Sequence, residues 1–478
     1  MVTQLSSTPG PAEAPGSATG GRSPDGTPGR HPDPPPPNSA AAVLAPFVKA
    51  VVGTDVPVRF EFWDGSGLGP VGGIGTLRIR SADAVRRILW APGELGVARA
   101  YVSGDLTIEG DLYALLRALH DASPRDLRQI GLRALPAVVG AAHRLGVLGP
   151  PPPAPPEECR PAGRLHSPAR DAEVVSHHYD VGNEFYRLVL GSSMTYSCAR
   201  FVDGASSLED AQAAKHELIC RKLGIDGTPG ARLLDVGCGW GSMAIHAASR
   251  HGARVVGVAL SREQVDLAAR RVAEAGLDGQ VEIRLQDYRE LRGERFDAVA
   301  SIGMFEHVGS RRMTEYFETL HGLLTPTGRL LNHAISKPGG SVLGRRSFVG
   351  RYVFPDGELL DVAEVVRAMQ RTGFEVRDVE SLREHYSRTL HHWVSNLEEH
   401  WGEAVALVGP GRASIWRLYM AASANGFDDG GLAVHQVLAV VPGPDGRSGM
   451  PPTRTGWDRD PGDRSPEPPA PLAATSGG

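Results

Sequence analysis

The chain has 478 residues and a formal net charge of −5 at pH 7, a balance that gives no reason to expect a nucleic acid as a partner. Its four cysteines form no Cys-x-x-Cys pair, which indicates neither a disulfide framework nor a zinc site, and we predict no metal. The start of the chain lacks the pattern of a signal peptide, and no apolar run reaches about 18 residues, so we expect a cytoplasmic protein whose contact with membranes is peripheral.

Stretches rich in proline and glycine divide the chain into two predicted domains. Such stretches bury too little apolar surface to offset their chain entropy. We therefore expect disordered tails at 1–41 and 441–478 and a stiff, proline-rich linker at 148–170. A small domain is predicted at 42–147 and a larger one at 171–440.

The first predicted domain has the pattern of a small α+β unit without a constellation of catalytic side chains. Ser81 is expected to cap its second helix. The predicted helices lie at 41–52, 82–90 and 112–120, and the predicted strands at 58–63, 77–80 and 106–110. A basic amphipathic stretch at 124–149 either lies on an anionic bilayer or packs on its own domain.

Two histidines and an aspartate, His177, His178 and Asp180, lie near the start of the second domain. Spacing places no third and fourth ligand beside them, so a metal site is not predicted here.

An alternating series of strands and helices then predicts a parallel sheet with helices on both faces. Its first strand, 232–236, contains Asp235 and leads into Gly237-x-Gly239-x-Gly241. This spacing differs from the dinucleotide pattern and is typical of the nucleotide loop of S-adenosylmethionine (SAM) methyltransferases. A glycine-rich turn with another role is the alternative.

Ligands of such sheets bind beyond the carboxyl ends of the strands. The second strand ends without a carboxylate, and Gln264 either reaches a ribose there or forms a capping box with Ser261. Asp287 can accept a bond from an adenine amino group, and Tyr288 offers a stacking face. The topology is expected to gather around one crevice Gly237, Gly239, Leu260, Gln264, Asp287, Tyr288, Glu306 and His333.

An insertion at 336–358 is predicted to form a lid or the wall of a substrate channel. The series resumes after it with a helix at 361–371 and a strand at 375–379. A helix at 412–424 and a strand at 433–440 close the predicted fold.

Seven strings in consistent order resemble the cyclopropane-fatty-acyl-phospholipid synthases and their mycolic acid relatives. They lie at 178–183, 195–199, 234–241, 286–289, 303–309, 351–357 and 385–390. The strings at 94–96 and 101–105 resemble the longer bacterial form of that family. The resemblance implies an α/β fold, namely a Rossmann-like class I SAM-dependent methyltransferase domain, preceded by the small α+β domain and flanked by the disordered tails.

The resemblance also implies two sets of site residues. SAM contacts are implied at Tyr196, Ser197, Gly237, Gly239, Leu260, Gln264, Gln286, Asp287, Tyr288 and Gly303. A bicarbonate ion, acting as base, is implied at Cys198, Glu306, His333, the backbone of Ile335, and Tyr386. Glu306 would orient the bicarbonate, and the rings of Tyr288, Phe305 and Tyr386 would stabilise a carbocation.

The expected activity is transfer of a one-carbon unit from SAM to the double bond of a phospholipid acyl chain, giving a cyclopropane ring. A methylene or methyl branch is the alternative product. Methylation of another lipid or small molecule, and binding of SAM or lipid without catalysis, are further alternatives. A peripheral membrane surface and a possible homodimer complete the expected partners.

Overall fold

Two β-sheets, one from each predicted domain, organise the structure. The structure is a computed structural model that describes residues 35–53, 56–122, 137, 139–160, 170, 181–202, 207–344, 347–454 and 456–457. The predicted N-terminal tail, the basic stretch at 124–149 and the string at 178–183 therefore lie partly or largely outside the described residues.

The first sheet has four strands in the order β2-β1-β3-β4. In chain order, the strands of this sheet and the helices of the same part are α1 Ala40–Val52, β1 Val58–Glu61, β2 Gly67–Leu68, β3 Gly75–Ile79, α2 Ala82–Trp90, α3 Glu94–Val102, β4 Leu106–Gly110 and α4 Leu112–Ala122. All six elements predicted in this part are present. Ser81 precedes α2 as predicted, but its hydroxyl donates to Asp105 Oδ1 (2.6 Å) and makes no capping bond.

The second sheet has seven strands in the order β12-β13-β9-β8-β5-β6-β7. Strands β5 to β9 are parallel to their neighbours, whereas β13 and β12 join antiparallel. In chain order this part contains α5 Asn183–Leu190, α6 Leu208–Leu223, β5 Arg232–Val236, α7 Ser242–His251, β6 Arg254–Ala259, α8 Arg262–Glu274, β7 Val281–Leu285, β8 Phe296–Ile302, α9 Met313–Leu323, β9 Leu324–Ser336, β10 Ser341–Val342, α10 Phe348–Tyr352, β11 Glu358–Leu359, α11 Val362–Arg371, β12 Glu375–Ser381, α12 Arg383–Glu399, α13 Trp401–Asp428 and β13 Ala433–Val440. The alternating series is confirmed as a Rossmann-like α/β fold.

Residues 325–328 form a bulge inside β9. Phe296 of β8 pairs with Leu324, and Ala298 pairs with Arg329, so the residues between them protrude from the ladder. Thr327 in this bulge takes a left-handed conformation with φ of 65°. Strand β9 therefore begins directly after α9 and continues through the bulge.

Helix α13 is much longer than the predicted 412–424. It bends at Gly409, whose φ is 80°, just before Pro410, which has no backbone N–H to donate. The helix packs on α5 and α12 and also on α3 and α4. Leu418 contacts the apolar core of the first sheet, while Tyr419 belongs to the core of the second part. The two parts therefore share one apolar interior. Separately, no helix among the described residues is both long and apolar enough to cross a bilayer.

The disordered tail predicted from 441 is wrong for the part that the structure describes. Trp457 is 8% exposed and belongs to the apolar cluster under β5 and β9. Its ring lies 5.8 Å from the ammonium of Lys222. The buried carboxylate of Asp378 receives both Lys222 and Arg454. A few anchoring side chains thus fix a segment whose overall composition indicated disorder.

The described part of the predicted linker, residues 148–160, contacts helices α2 and α3 of the first part and α10 of the second. The Glu158 side chain is only 1% exposed and receives two bonds from Arg99 of α3, at 2.7 and 2.8 Å. Arg160 and Arg351 of α10 also lie within ion-pair distance. Burial opposes the charge of Glu158, but Arg99 and Arg160 outweigh it and hold its pKa below the ordinary value. This carboxylate therefore connects α3, the linker and α10.

We expect Arg99→Met to lower the free energy of unfolding by about 2–3 kcal/mol, because it removes two charge-assisted bonds from a buried carboxylate. Arg78→Met is the matched control, since Arg78 pairs with two partly exposed glutamates and its loss should cost less than about 1 kcal/mol. Urea unfolding midpoints measure both variants. Equal losses of unfolding free energy in the two variants would show that the buried Arg99–Glu158 ion pair stabilises the fold no more than an exposed pair does.

Candidate active site

A cleft opens beyond the carboxyl ends of β5 to β8, where the topology predicts a ligand. Its empty volume is about 1220 Å³, including the part open to solvent. The ten residues predicted to contact SAM all line it, namely Tyr196, Ser197, Gly237, Gly239, Leu260, Gln264, Gln286, Asp287, Tyr288 and Gly303. The sequence therefore located the walls of this cleft, while their contact with SAM stays a prediction.

The glycine loop after β5 presents bare backbone to the cleft. Gly237, Gly239 and Gly241 have φ of 76°, 54° and 80°, a region that side chains disfavour. A Cβ added at Gly237 would lie 3.0 Å from Met304 Cγ. The N–H groups of Gly237 and Cys238 donate to the carbonyl of Val258 at 2.9 and 3.1 Å, which ties the loop to β6. The loop is therefore a fixed cradle that glycine alone fills without strain.

Gln264 takes part in the cap of α8 and is also placed for the ribose contact that the sequence left open. Its backbone N–H donates to Ser261 Oγ at 3.3 Å, which caps α8. Its side chain lines the cleft, with Nε2 3.9 Å from the position of an added Cβ at Gly239. Capping and ligand contact use different atoms of this residue, so they do not compete.

Asp287 lines the cleft but already has a cationic partner that the sequence interpretation missed. Arg289 donates from Nε to Oδ1 at 2.9 Å and from Nη2 to Oδ2 at 2.6 Å, and its backbone N–H also bonds Oδ1. The guanidinium lies 5.7 Å from the Tyr288 ring. An adenine amino group would thus share this carboxylate with Arg289.

Two buried ionisable groups in the cleft wall were not predicted as site residues from their sequence positions. Lys215 of α6 donates to Ser197 Oγ at 2.8 Å, and burial lowers its pKa to about 7. Burial likewise raises the pKa of Asp235 to about 7, and its Oδ2 has no hydrogen-bond partner among the described residues. The one available signal was a lysine placed at helical spacing with Ala211 and Leu218 on an apolar helix face.

A second cavity of about 540 Å³ adjoins the cleft. The two share Tyr196, Gly303 and His307. The remaining wall is mostly apolar and aromatic and consists of Glu306, Ile335, Leu343, Phe354, Gly357, Leu359, Tyr386 and Tyr419. The insertion at 336–358 supplies Leu343, Phe354 and Gly357, so it forms part of the cavity wall.

Glu306 is the acidic group of this second cavity. Its Oε1 accepts the N–H of Ile335 at 2.6 Å, while its buried Oε2 has no hydrogen-bond partner among the described residues. Burial raises the pKa of Glu306 to about 7, although the bond from Ile335 favours the charged form. A carboxylate with one open oxygen and a pKa near neutrality is suited to accept a proton inside the cavity.

Cys198 and His333 do not line the cavity that holds Glu306, Ile335 and Tyr386. The Sγ of Cys198 faces the carbonyls of Ala199 and Leu382, and the residue lines neither cavity. Burial strongly raises the pKa of its thiol.

His333 also lies outside both cavities, in contrast to the predicted crevice. It shares a face of β9 with Ile335 but lies two residues deeper in the sheet, where its Nδ1 is 3.3 Å from Gln436 Nε2. The N–H of Ile335 is bonded to Glu306. Three of the five predicted residues therefore line one cavity, and the bicarbonate site stays a prediction.

Comparison with known proteins adds a family match. The family model described as mycolic acid cyclopropane synthetase matches residues 166–437. The chain is 44% identical to the probable fatty acid methyltransferase Rv3720 of Mycobacterium tuberculosis, over 83% of this chain and 93% of that protein. It is 36% identical to the cyclopropane-fatty-acyl-phospholipid synthase of Escherichia coli K12, over 57% of this chain and 69% of that one.

A solved structure also matches the second part of the chain. It is the mycolic acid cyclopropane synthase CmaA1 complexed with SAH and CTAB, with a TM-score of 0.53 and 32% identity. The match covers 56% of this chain and 98% of that protein.

Proposed function

Because the chain belongs to the mycolic acid cyclopropane synthetase family and is a SAM-dependent methyltransferase of fatty acyl chains, we propose that it closes a cyclopropane ring on a phospholipid. The reacting group would be the double bond of an unsaturated acyl chain. The observation that carries the proposal is Glu306, a buried carboxylate with one open oxygen in an apolar cavity beside the cleft. A donor in the cleft and an acyl chain in the cavity would meet at Tyr196 and Gly303.

The cleft fits SAM as donor. The positive-φ glycines bring backbone close to a ligand, and Gln264 and Tyr288 offer an amide and a ring face. SAM supplies a methyl group when bound. The relative CmaA1 was solved with SAH, which supports a ligand of this class.

The second cavity would hold the alkene and the charge that develops on it. An isolated alkene is a poor nucleophile, so the cavity must hold it in reacting geometry. The rings of Tyr196, Tyr386 and Tyr419 line the cavity and can stabilise a positive charge through their faces. Phe305 does not take this role, because it is 3% exposed in the core behind the sheet and lines neither cavity.

Glu306 would complete the reaction as proton acceptor. A proton leaves the added methyl carbon for the open Oε2, and the C–H electron pair closes the ring onto the cationic carbon. Bicarbonate was expected as the base, but two of the five residues implied for it, Cys198 and His333, line neither cavity. We therefore assign the proton transfer to Glu306 and derive no step through bicarbonate.

A methylene or methyl branch is the second candidate product. The match to Rv3720, which is named a probable fatty acid methyltransferase, covers 83% of this chain and favours this product. The match to the Escherichia coli cyclopropane-fatty-acyl-phospholipid synthase covers 57% of this chain. A hydride shift would move the cation to the methyl-bearing carbon, and proton loss would then give a methylene group. A saturated methyl branch would also need a reductant.

Proton NMR of the product decides between these candidates. The full chain is incubated with SAM and an oleoyl phospholipid, and we expect upfield cyclopropane methylene signals. Vinylidene signals would overturn ring formation and support the branch instead. Intact mass is no substitute, since both products add CH₂. If the phospholipid is recovered unmodified, methylation of a different molecule or binding without catalysis is favoured.

We further propose that the phospholipid is reached by peripheral contact with a membrane surface, from the cytoplasm. The exposed apolar side chains of Trp90, Val97 and Leu148 in the first part support contact with lipid. A homodimer stays a prediction.

A further inference from the structure

We propose that a cluster on the facing sides of α6 and α7 is a binding site for Zn²⁺ or a similar divalent transition metal. Its members are Glu217 and Cys220 on α6 and His246 and His251 on α7. None of them lines the cleft or the second cavity. The proposal is therefore independent of the proposed function.

Three of the side chains already converge, and Glu217 contacts two of them. The Sγ of Cys220 and one ring nitrogen each of His246 and His251 lie within 4.8 Å of one another. Glu217 Oε2 is 3.3 Å from His246 Nε2 and 3.0 Å from His251 Nε2. In a tetrahedral zinc site, ligand atoms lie about 3.3–3.7 Å apart. Glu217 and His246 already have this spacing, and Glu217 and His251 are slightly closer. The most distant pair among Cys220, His246 and His251 must approach by about 1 Å.

The chemistry of the set suits zinc. Thiolate, imidazole and carboxylate are its usual ligands, and four protein ligands make a closed, structural site. One thiolate and one carboxylate neutralise a divalent ion, so the occupied site carries no net charge. Glu217 and Cys220 come from α6 and the two histidines from α7, and both helices lie on the same side of the sheet.

Neighbouring groups hold the cluster in place and leave it accessible. Arg221 donates from Nε to Glu217 Oε1 at 2.9 Å, which fixes the carboxylate and leaves Oε2 for the histidines. The side chains of Glu217, His246 and His251 are 18%, 15% and 12% exposed, which gives an ion a path from solvent. Cys220 closes the inner side and is buried.

Metal uptake has a defined proton balance. The thiol of Cys220 must lose its proton, and any proton held between Glu217 and the two imidazoles must also leave. Binding should therefore release protons and strengthen with rising pH. The ion would join α6, which carries Lys215 and His216 of the cleft wall, to α7, which begins at the glycine loop.

Metal content of the full chain tests the proposal. The protein is purified without a polyhistidine tag, exposed to zinc, desalted and analysed by elemental mass spectrometry. We expect one zinc ion per chain. Co²⁺ serves as a spectroscopic probe, because only a thiolate ligand gives a sulfur-to-cobalt charge-transfer band.

Matched variants assign the ligands. Cys220→Ser should abolish the charge-transfer band, and His246→Asn should weaken zinc binding by more than the roughly 100-fold that marks the upper end for outer-sphere partners. The buried cysteine control Cys159→Ser and the exposed histidine control His120→Asn should bind as the unchanged chain does. Circular dichroism checks folding, and His246→Asn decides if Cys220→Ser does not fold.

Two outcomes would overturn the site. One is that the wild-type protein retains no zinc after exposure and desalting. The other is equal zinc retention by His246→Asn and the unchanged chain, which would identify adventitious binding elsewhere.

Discussion

Glu306→Gln should slow product formation by about 10²–10⁴-fold while SAM still binds, since the amide cannot accept the proton that Glu306 takes. The carboxylate belongs to the second cavity and not to the cleft, so the donor site remains intact. Transfer of label from methyl-labelled SAM into an oleoyl phospholipid measures turnover, and calorimetry measures SAM affinity. Glu364→Gln, at an exposed position on α11, is the control. Turnover of Glu306→Gln within a few-fold of the unchanged chain would refute the assigned base.

The pH dependence of the same variant separates catalysis from packing. In the unchanged chain, activity should fall as pH drops through about 7, the pKa to which burial raises Glu306, because the base becomes protonated. Stability should change in the opposite direction. Between its ordinary pKa and about 7 the folded state holds a proton that the unfolded chain has lost, so stability decreases as pH rises, by about 3 kcal/mol in all. Glu306→Gln should lack this decrease, which urea unfolding at several pH values measures.

Gly237→Ala should weaken SAM binding by about tenfold or more. The rate of turnover at limiting SAM should fall by a similar factor. The added Cβ meets Met304 Cγ at 3.0 Å and Met304 Cβ at 3.1 Å, atoms near the backbone that cannot swing away freely. Both residues line the cleft, so any adjustment alters its shape. Calorimetric titration with SAM measures the loss.

Gly276→Ala is the matched control for backbone strain. Gly276 has φ of 69°, close to the 76° of Gly237, but an added Cβ there meets nothing within 4 Å. Both variants should lose about 1–2 kcal/mol of stability from the left-handed conformation. Only Gly237→Ala should lose SAM affinity, and an equal loss in Gly276→Ala would assign the effect to strain alone.

The sheet could be predicted because its signals are local. Strands Arg232–Val236 and Ala433–Val440 have the predicted bounds, since apolar runs between polar turns mark buried strands. The length of α13 could not be predicted, because a glycine and a proline at 409–410 are typical of a helix end and only packing continues the helix beyond them. Composition likewise indicated disorder after 441, where Trp457 is in fact buried.

The candidate site divides in the same way. Strand order alone locates the cleft, so residues at strand ends such as Gly237 and Asp287 were found. Depth within the sheet is not written in the sequence, and His333 therefore lies outside the cavities. Cys198 lies in the irregular segment before α6, and its thiol faces the carbonyls of Ala199 and Leu382, a packing contact that the sequence does not show. The proposed metal cluster depends on the packing of α6 against α7, and Cys220 lies far from His246 along the chain, so spacing rules for zinc could not detect it.

Neighbouring residues of α13 contribute to both parts of the chain. Leu418 completes the core beneath the first sheet, and Tyr419 forms a wall of the cavity that would hold the acyl chain. The first sheet and that cavity therefore belong to one cooperative unit rather than to two independent ones. By thermodynamic linkage, any surface that binds the folded first part also stabilises the wall of the cavity, and a filled cavity strengthens that attachment by the same factor.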